Sequence, residues 1–135
     1  MESNYSVQIE DFAERYFIKS FKRKYNLQWD FTLRAIVFQL ERIDNFILTT
    51  NKATTIVDGG DIKIVKTEFK IAGSKESAKT SGNRCIVAWH TKERFVSILL
   101  VYNKTDLNSK NKETDEWKNI IKDNYPQYRN LLSNR

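Results

Sequence analysis

The spacing of apolar positions changes period twice along the chain. Between residues 10 and 25, Phe12, Ala13, Tyr16, Phe17 and Phe21 recur three and four apart. That spacing predicts a helix with one buried stripe and a back carrying Arg15, Lys19, Lys22, Arg23 and Lys24. Leu33, Ile36, Val37, Leu40 and Ile43 repeat the pattern and predict a second helix over 29–45, with acidic Asp30 in its first turn. From residue 62 the period falls to two. In IKIVKTEFKI, Val65, Thr67, Phe69 and Ile71 lie on one face, and Lys66, Glu68 and Lys70 on the other. RCIVAWHT (84–91) and RFVSILLVY (94–102) read as a hairpin around Lys92-Glu93. The second of these strands has a core run, FVSILLV, as continuous as a strand covered on both faces requires. Helical period returns at 114–124, where Trp117, Ile120 and Ile121 are the apolar positions and Pro126 forces a stop.

Turn signals complete the organisation. Residues 5–9 (YSVQI) read as an opening strand. Residues 49–61 read as a loop ending in the turn Asp58-Gly59-Gly60-Asp61, with a short strand at 54–57 as an option. Residues 72–83 (AGSKESAKTSGN) read as a small-residue, basic loop, and 125–135 as a tail that either packs through Tyr128 and Leu131 or frays. The resulting order is β-α-α-β-β-β-α. It predicts one α+β domain over 1–135: an N-terminal helical hairpin packed on one face of a small twisted antiparallel sheet, with a C-terminal helix. The opposite face is left partly open.

Composition narrows the function classes. A chain of 135 residues holds one core. No apolar run is long enough to span a bilayer, and MESNYSVQIEDF has no apolar leader, so the expectation is a cytoplasmic protein. Cys85 is the sole cysteine, which excludes an intramolecular disulfide and a Cys-rich metal site. His90 is the sole histidine, which excludes a two-histidine ribonuclease mechanism; it shares a face with Arg84 but reads as structural or merely exposed rather than as part of a cleft, Trp89 reads as core, and Cys85 as a buried small side chain. Walker, dinucleotide and Ser-His-Asp patterns are absent. A net charge of +6 favours an anionic partner.

The charges gather at strand ends. Tyr102 and Lys104 close one core strand on a shared face, and Arg84 opens its antiparallel neighbour. Lys66 and Lys70 add cations from the next strand, and Lys79 from the loop before Arg84. The reading is a basic cleft around one tyrosine, with Glu68 as the only acid in reach.

Two ordered segments, Lys79-Thr80-Ser81-Gly82-Asn83-Arg84 and Tyr102-Asn103-Lys104-Thr105-Asp106, flank one hairpin and precede one helix. In this the chain resembles the RelE-like toxins of type II toxin–antitoxin modules. The resemblance implies a metal-independent endoribonuclease that cleaves mRNA on the ribosome and so inhibits translation. It implies no cofactor, a cognate antitoxin as partner, and mRNA as substrate. The ribose 2′-OH attacks the adjacent phosphate. Arg84 is then expected to stabilise charge on phosphorus. Lys66, Lys70 and Lys104 are unranked candidates for the base. Tyr102 is expected to order Lys104, stack on a base or assist proton transfer. Lys75, Lys79, Lys22 and Arg23 are expected to contact RNA phosphates. The alternative is a catalytically inactive relative that binds RNA or a partner protein through the same basic face. On this reading neither Arg84 nor Lys104 supports the core.

Overall fold

The computed structural model describes residues 4–107 and 112–133. Strand β1 (Ser6–Ile9) leads into α1 (Asp11–Ala13), a π-helical stretch (Glu14–Ile18) and α2 (Lys19–Tyr25). Asn26, at a φ of 54°, turns the chain into α3 (Leu27–Leu40). Asparagine is among the few residues that tolerate positive φ. The expected second helix breaks at Glu41 and Arg42, and α4 (Ile43–Thr49) follows. Two bonds explain the break. The Glu41 carbonyl accepts from Tyr5 N at the start of the sheet, and the Arg42 guanidinium turns back onto the Phe38 carbonyl. The reorientation buries Ile43 completely.

The short strand offered as an option at 54–57 within the 49–61 loop is present and longer, β2 (Ala53–Asp58), and carries a bulge between Thr55 and Val57. The Asp58-Gly59-Gly60-Asp61 turn then forms as its residues dictate: Gly59 N donates to Ile62 O and Gly60 N to Asp58 Oδ1. Strand β3 (Ile62–Phe69) runs toward the loop holding α5 (Ala78–Ser81), a single turn whose Ser77 side chain caps Thr80 N. β4 (Asn83–His90) and β5 (Phe95–Asn103) make the expected hairpin. α6 (Glu113–Asn124) starts one residue earlier than its periodicity suggests. A 3₁₀ turn (Pro126–Tyr128) and α7 (Arg129–Ser133) end the described chain.

The sheet has five strands in the order β1-β5-β4-β3-β2. It is mixed rather than antiparallel, because β1 lies parallel to β5 while the other pairs are antiparallel. It is also covered on both faces, where one face had been expected. Ile18, Phe21, Trp29, Ile36 and Leu40 pack on Val65, Phe69, Cys85, Val87 and Val101. Trp117, Ile121, Tyr125, Tyr128 and Leu132 pack on Ile64, Ile86, Ala88, Leu100 and Tyr102. Every residue of β4 is buried, as a strand in the middle of three layers requires. Among the described residues no helix is long and apolar enough to cross a membrane.

Candidate active site

The hairpin register brings one residue from each of three strands into a row. Glu68 on β3 lies opposite Arg84 on β4, and Arg84 opposite Tyr102 on β5. All three point to the face covered by α6. Arg84 is held by its neighbours: Nη1 donates to Asn83 O at 3.0 Å and Nη2 to Lys79 O at 3.2 Å. Its charge is met by two carboxylates. Nη2 lies 3.8 Å from Glu68 Oε2, and Nε lies 3.8 Å from Glu113 Oε2. Tyr102 OH donates to that same Glu113 oxygen at 2.6 Å. Burial pushes the Tyr102 phenol pKa well above its usual range, Glu113 adds to the rise, and the Arg84 charge only partly opposes it. The phenol therefore keeps its proton.

This corrects the expected basic cleft in two respects. Arg84 is only 5% exposed, so it is part of the packed interior rather than a free strand-end cation. Its surroundings are acidic, since one guanidinium faces Glu68 and Glu113 together. Glu113 was missed because the helix was started at Thr114. The signal was present in the spacing: position 113 is one helical turn before Trp117, on the stripe that faces the sheet.

The two sequence segments that flank the hairpin do meet. Asn103 Nδ2 donates to Ser81 O at 3.1 Å and to Asn83 Oδ1 at 2.9 Å, and Lys104 N donates to Gly82 O at 2.9 Å. Asn103 Oδ1 in turn caps the 3₁₀ turn Lys104–Asp106 through Thr105 N. That turn takes Lys104 off the strand, so its side chain is exposed and its stem lies over Gly82.

The remaining expected residues are dispersed. Lys66 is half-buried and shares the Glu68 face, one strand repeat away. Lys70 lies beyond the end of β3. Its Nζ donates to Ser74 O, and it lines, with Lys52 and Glu68, a cavity of about 230 Å³ against α3. Lys79 contributes its carbonyl to Arg84 while its own residue is exposed, as is Lys75. Lys22 pairs with Asp30 at 2.6 Å, and Arg23 is exposed on α2. A cleft of about 420 Å³ separates α2 from the strand ends, with Tyr16, Phe17 and Lys24 on one wall and Asn83 and Asn103 on the other.

His90 and Cys85 are structural, as read. His90 Nε2 shares a hydrogen with Tyr128 OH at 2.8 Å, and its ring stacks on Phe95 at 3.9 Å. Burial holds its pKa below the ordinary value, with Glu93 pulling the other way. Burial pushes the Cys85 thiol up to about 12, which leaves no thiolate for chemistry. Among the described residues no three His, Cys, Asp or Glu side chains cluster to hold a metal ion. Comparisons with protein-family models, with curated proteins and with solved structures found no match.

Proposed function

We propose that the chain is a RelE-like toxin acting as a metal-independent endoribonuclease on mRNA at the ribosome. In the cytoplasm it would be kept in check by a cognate antitoxin. The observation that carries this reading is the row Glu68–Arg84–Tyr102. It places a carboxylate, a guanidinium and a protonated phenol side by side at the ends of three strands. Those are the parts that cleavage by a neighbouring 2′-OH needs. Glu68 takes the 2′-OH proton as oxygen O2′ bonds to phosphorus. Arg84 stabilises charge on the phosphoryl oxygens. The bond to O5′ breaks as O5′ takes a proton from water, leaving a 2′,3′-cyclic phosphate and a 5′-hydroxyl. Tyr102, the third member of the row, gives its hydroxyl hydrogen to Glu113 in the free protein. Exposed Lys104 and half-buried Lys66 draw in the RNA backbone.

The assignment of the base to Glu68 differs from the three lysines. A half-buried carboxylate beside a fixed guanidinium has both the charge and the position for proton abstraction. A non-catalytic, RNA- or partner-binding relative is the second reading. The burial of Arg84 between two carboxylates favours it.

Incubation with translating ribosomes, followed by mapping of new 5′-hydroxyl ends, separates the two. Cleavage that falls about a hundredfold or more in Glu68→Gln supports the enzyme. Lys104→Ala should fold normally and weaken RNA binding in a salt-dependent way. Absence of new ends at high protein concentration, with no growth arrest on expression, overturns the enzyme reading.

A further inference from the structure

Arg84 Nε is a buried donor with no hydrogen-bond partner. The acceptor that faces it, Glu113 Oε2, stands 3.8 Å away, beyond hydrogen-bonding range. The same oxygen is held at 2.6 Å by Tyr102 OH. One carboxylate oxygen thus sits between a guanidinium edge and a phenol, bonded to only one of them. The other two guanidinium nitrogens are committed to the Asn83 and Lys79 carbonyls, which fixes the plane and leaves the Nε edge aimed at that position. Glu113 keeps 27% of its side chain exposed, whereas Arg84 keeps 7% and Tyr102 is fully buried, so the two donors open to solvent only when the carboxylate moves.

A structural counter-ion for Arg84 would close to a short, two-pronged contact. The Glu113 carboxylate does not, and a buried N–H is left unmet at a cost. We infer that Arg84 Nε and Tyr102 OH form a site for a phosphodiester group, and that Glu113 occupies it in the free protein as an internal substitute for the anion. RNA binds by displacing that carboxylate. A tetrahedral phosphate can offer one oxygen to each donor, which a planar carboxylate anchored to α6 does not achieve here. Glu68, on the other side of Arg84, stays in place to take the proton. The inference rests on the endoribonuclease reading for its ligand, and it adds a self-imposed restraint on that activity.

The test uses inorganic phosphate, so that it does not depend on cleavage. The full chain, Glu113→Gln, Glu113→Ala and Asp115→Asn are titrated while the Arg84 Nε–H signal is followed by NMR. Asp115 is exposed in the same helical turn and controls for the change in net charge. Glu113→Gln keeps an acceptor for Tyr102 and carries the test if the alanine variant does not fold. The expected result is phosphate binding about tenfold tighter in Glu113→Gln than in the parent, the equivalent of one charge-assisted hydrogen bond released. The Arg84 signal should shift on titration, and Asp115→Asn should stay within about twofold of the parent, as screened surface charge does. Equal affinity in Glu113→Gln and Asp115→Asn, or an Arg84 signal blind to phosphate, overturns the site. Ribosome cleavage by the same proteins is scored separately. Tighter phosphate without cleavage by any variant keeps the anion site and removes the enzyme. Cleavage by the parent without any gain in phosphate affinity keeps the enzyme and removes the Glu113 restraint.

Discussion

Replacing Arg84 by alanine should destabilise the protein, although a strand-end arginine read from sequence would be judged dispensable. Each 3.8 Å contact, to Glu68 and to Glu113, contributes about 4 kcal/mol of attraction at an effective dielectric near 20. Burying the guanidinium offsets much of that, so the net contribution of the intact cluster is small. Truncation is a different matter, because it strands two carboxylates and frees the Asn83 and Lys79 carbonyls. Removing one partner of a buried pair costs about 3–5 kcal/mol. Here Glu68 and Glu113 keep 15% and 27% of their side chains exposed and regain some water. A loss of roughly 2–3 kcal/mol follows, or about 10 °C in Tm for a domain of this size. Urea unfolding of Arg84→Ala measures it. The double variant Arg84→Ala, Glu113→Gln should recover part of the loss, because one stranded charge is gone. An Arg84→Ala midpoint within error of the parent refutes the cluster as described. No recovery in the double variant would mean that lost packing, and not a stranded charge, accounts for the effect.

Three further outcomes are expected. Gly82 has a φ of 81°, and a Cβ there would stand 3.2 Å from Lys104 Cγ, so Gly82→Ala should cost about 1–2 kcal/mol in denaturant unfolding and disturb the Lys104 turn. His90 is held below its ordinary 6.5, chiefly by burial, so the unfolded chain takes up the proton first as pH falls. Stability is then full above about pH 6.5 and is lost below it, and the parent minus His90→Gln difference in urea midpoints should show that slope between pH 7.5 and 5.5. Cys85 is fully buried with its thiol pKa raised to about 12, so labelling by a disulfide reagent should run roughly a thousandfold slower in the native state than in denaturant.

Much of the fold was legible because periodicity reports burial. The helical stripe through Ile36 and the alternation of β3 placed residues on the sides where they lie, whereas the stripe of the first helix is split at the π-helical stretch: Ala13 and Phe21 pack on one core, Phe12 and Phe17 on the other, and Tyr16 is exposed. The coverage of both faces was legible too, in the continuous FVSILLV run, but the β-α-α-β-β-β-α order was read as a two-layer arrangement and outweighed it. In the structure α6 and α7 cover the second face through Trp117, Ile121 and Leu132. Strand β2 was legible only as an option at 54–57, because ATTIVD carries threonines at an edge, where one flank of the backbone has no strand partner and side-chain burial is slight. The break at Glu41 depends on a bond from Tyr5, thirty-six positions earlier, and no local pattern encodes that.

The site was legible in its positions and not in its electrostatics. Strand pairing follows from hairpin geometry, so the meeting of Arg84 with Tyr102 was available from register alone. What surrounds the guanidinium was not. Whether an arginine acts as a free cation or as a buried counter-ion depends on which helix closes over it and with which residue first. That is decided here by a single glutamate, one turn ahead of Trp117. The excess of positive charge in the chain does not mark this position: Lys22, Arg23, Lys75 and Lys79 are exposed to solvent, and Lys70 is turned onto the Ser74 carbonyl. A ribonuclease that kept its arginine bare would bind phosphate without discrimination. One whose arginine is already faced by a tethered carboxylate requires the incoming phosphate to do better than Glu113, with both the Nε edge and the Tyr102 hydroxyl as its reward in hydrogen bonds. On the proposed function, selectivity for a correctly placed backbone phosphate would follow from the same contact that holds Glu113 over the site.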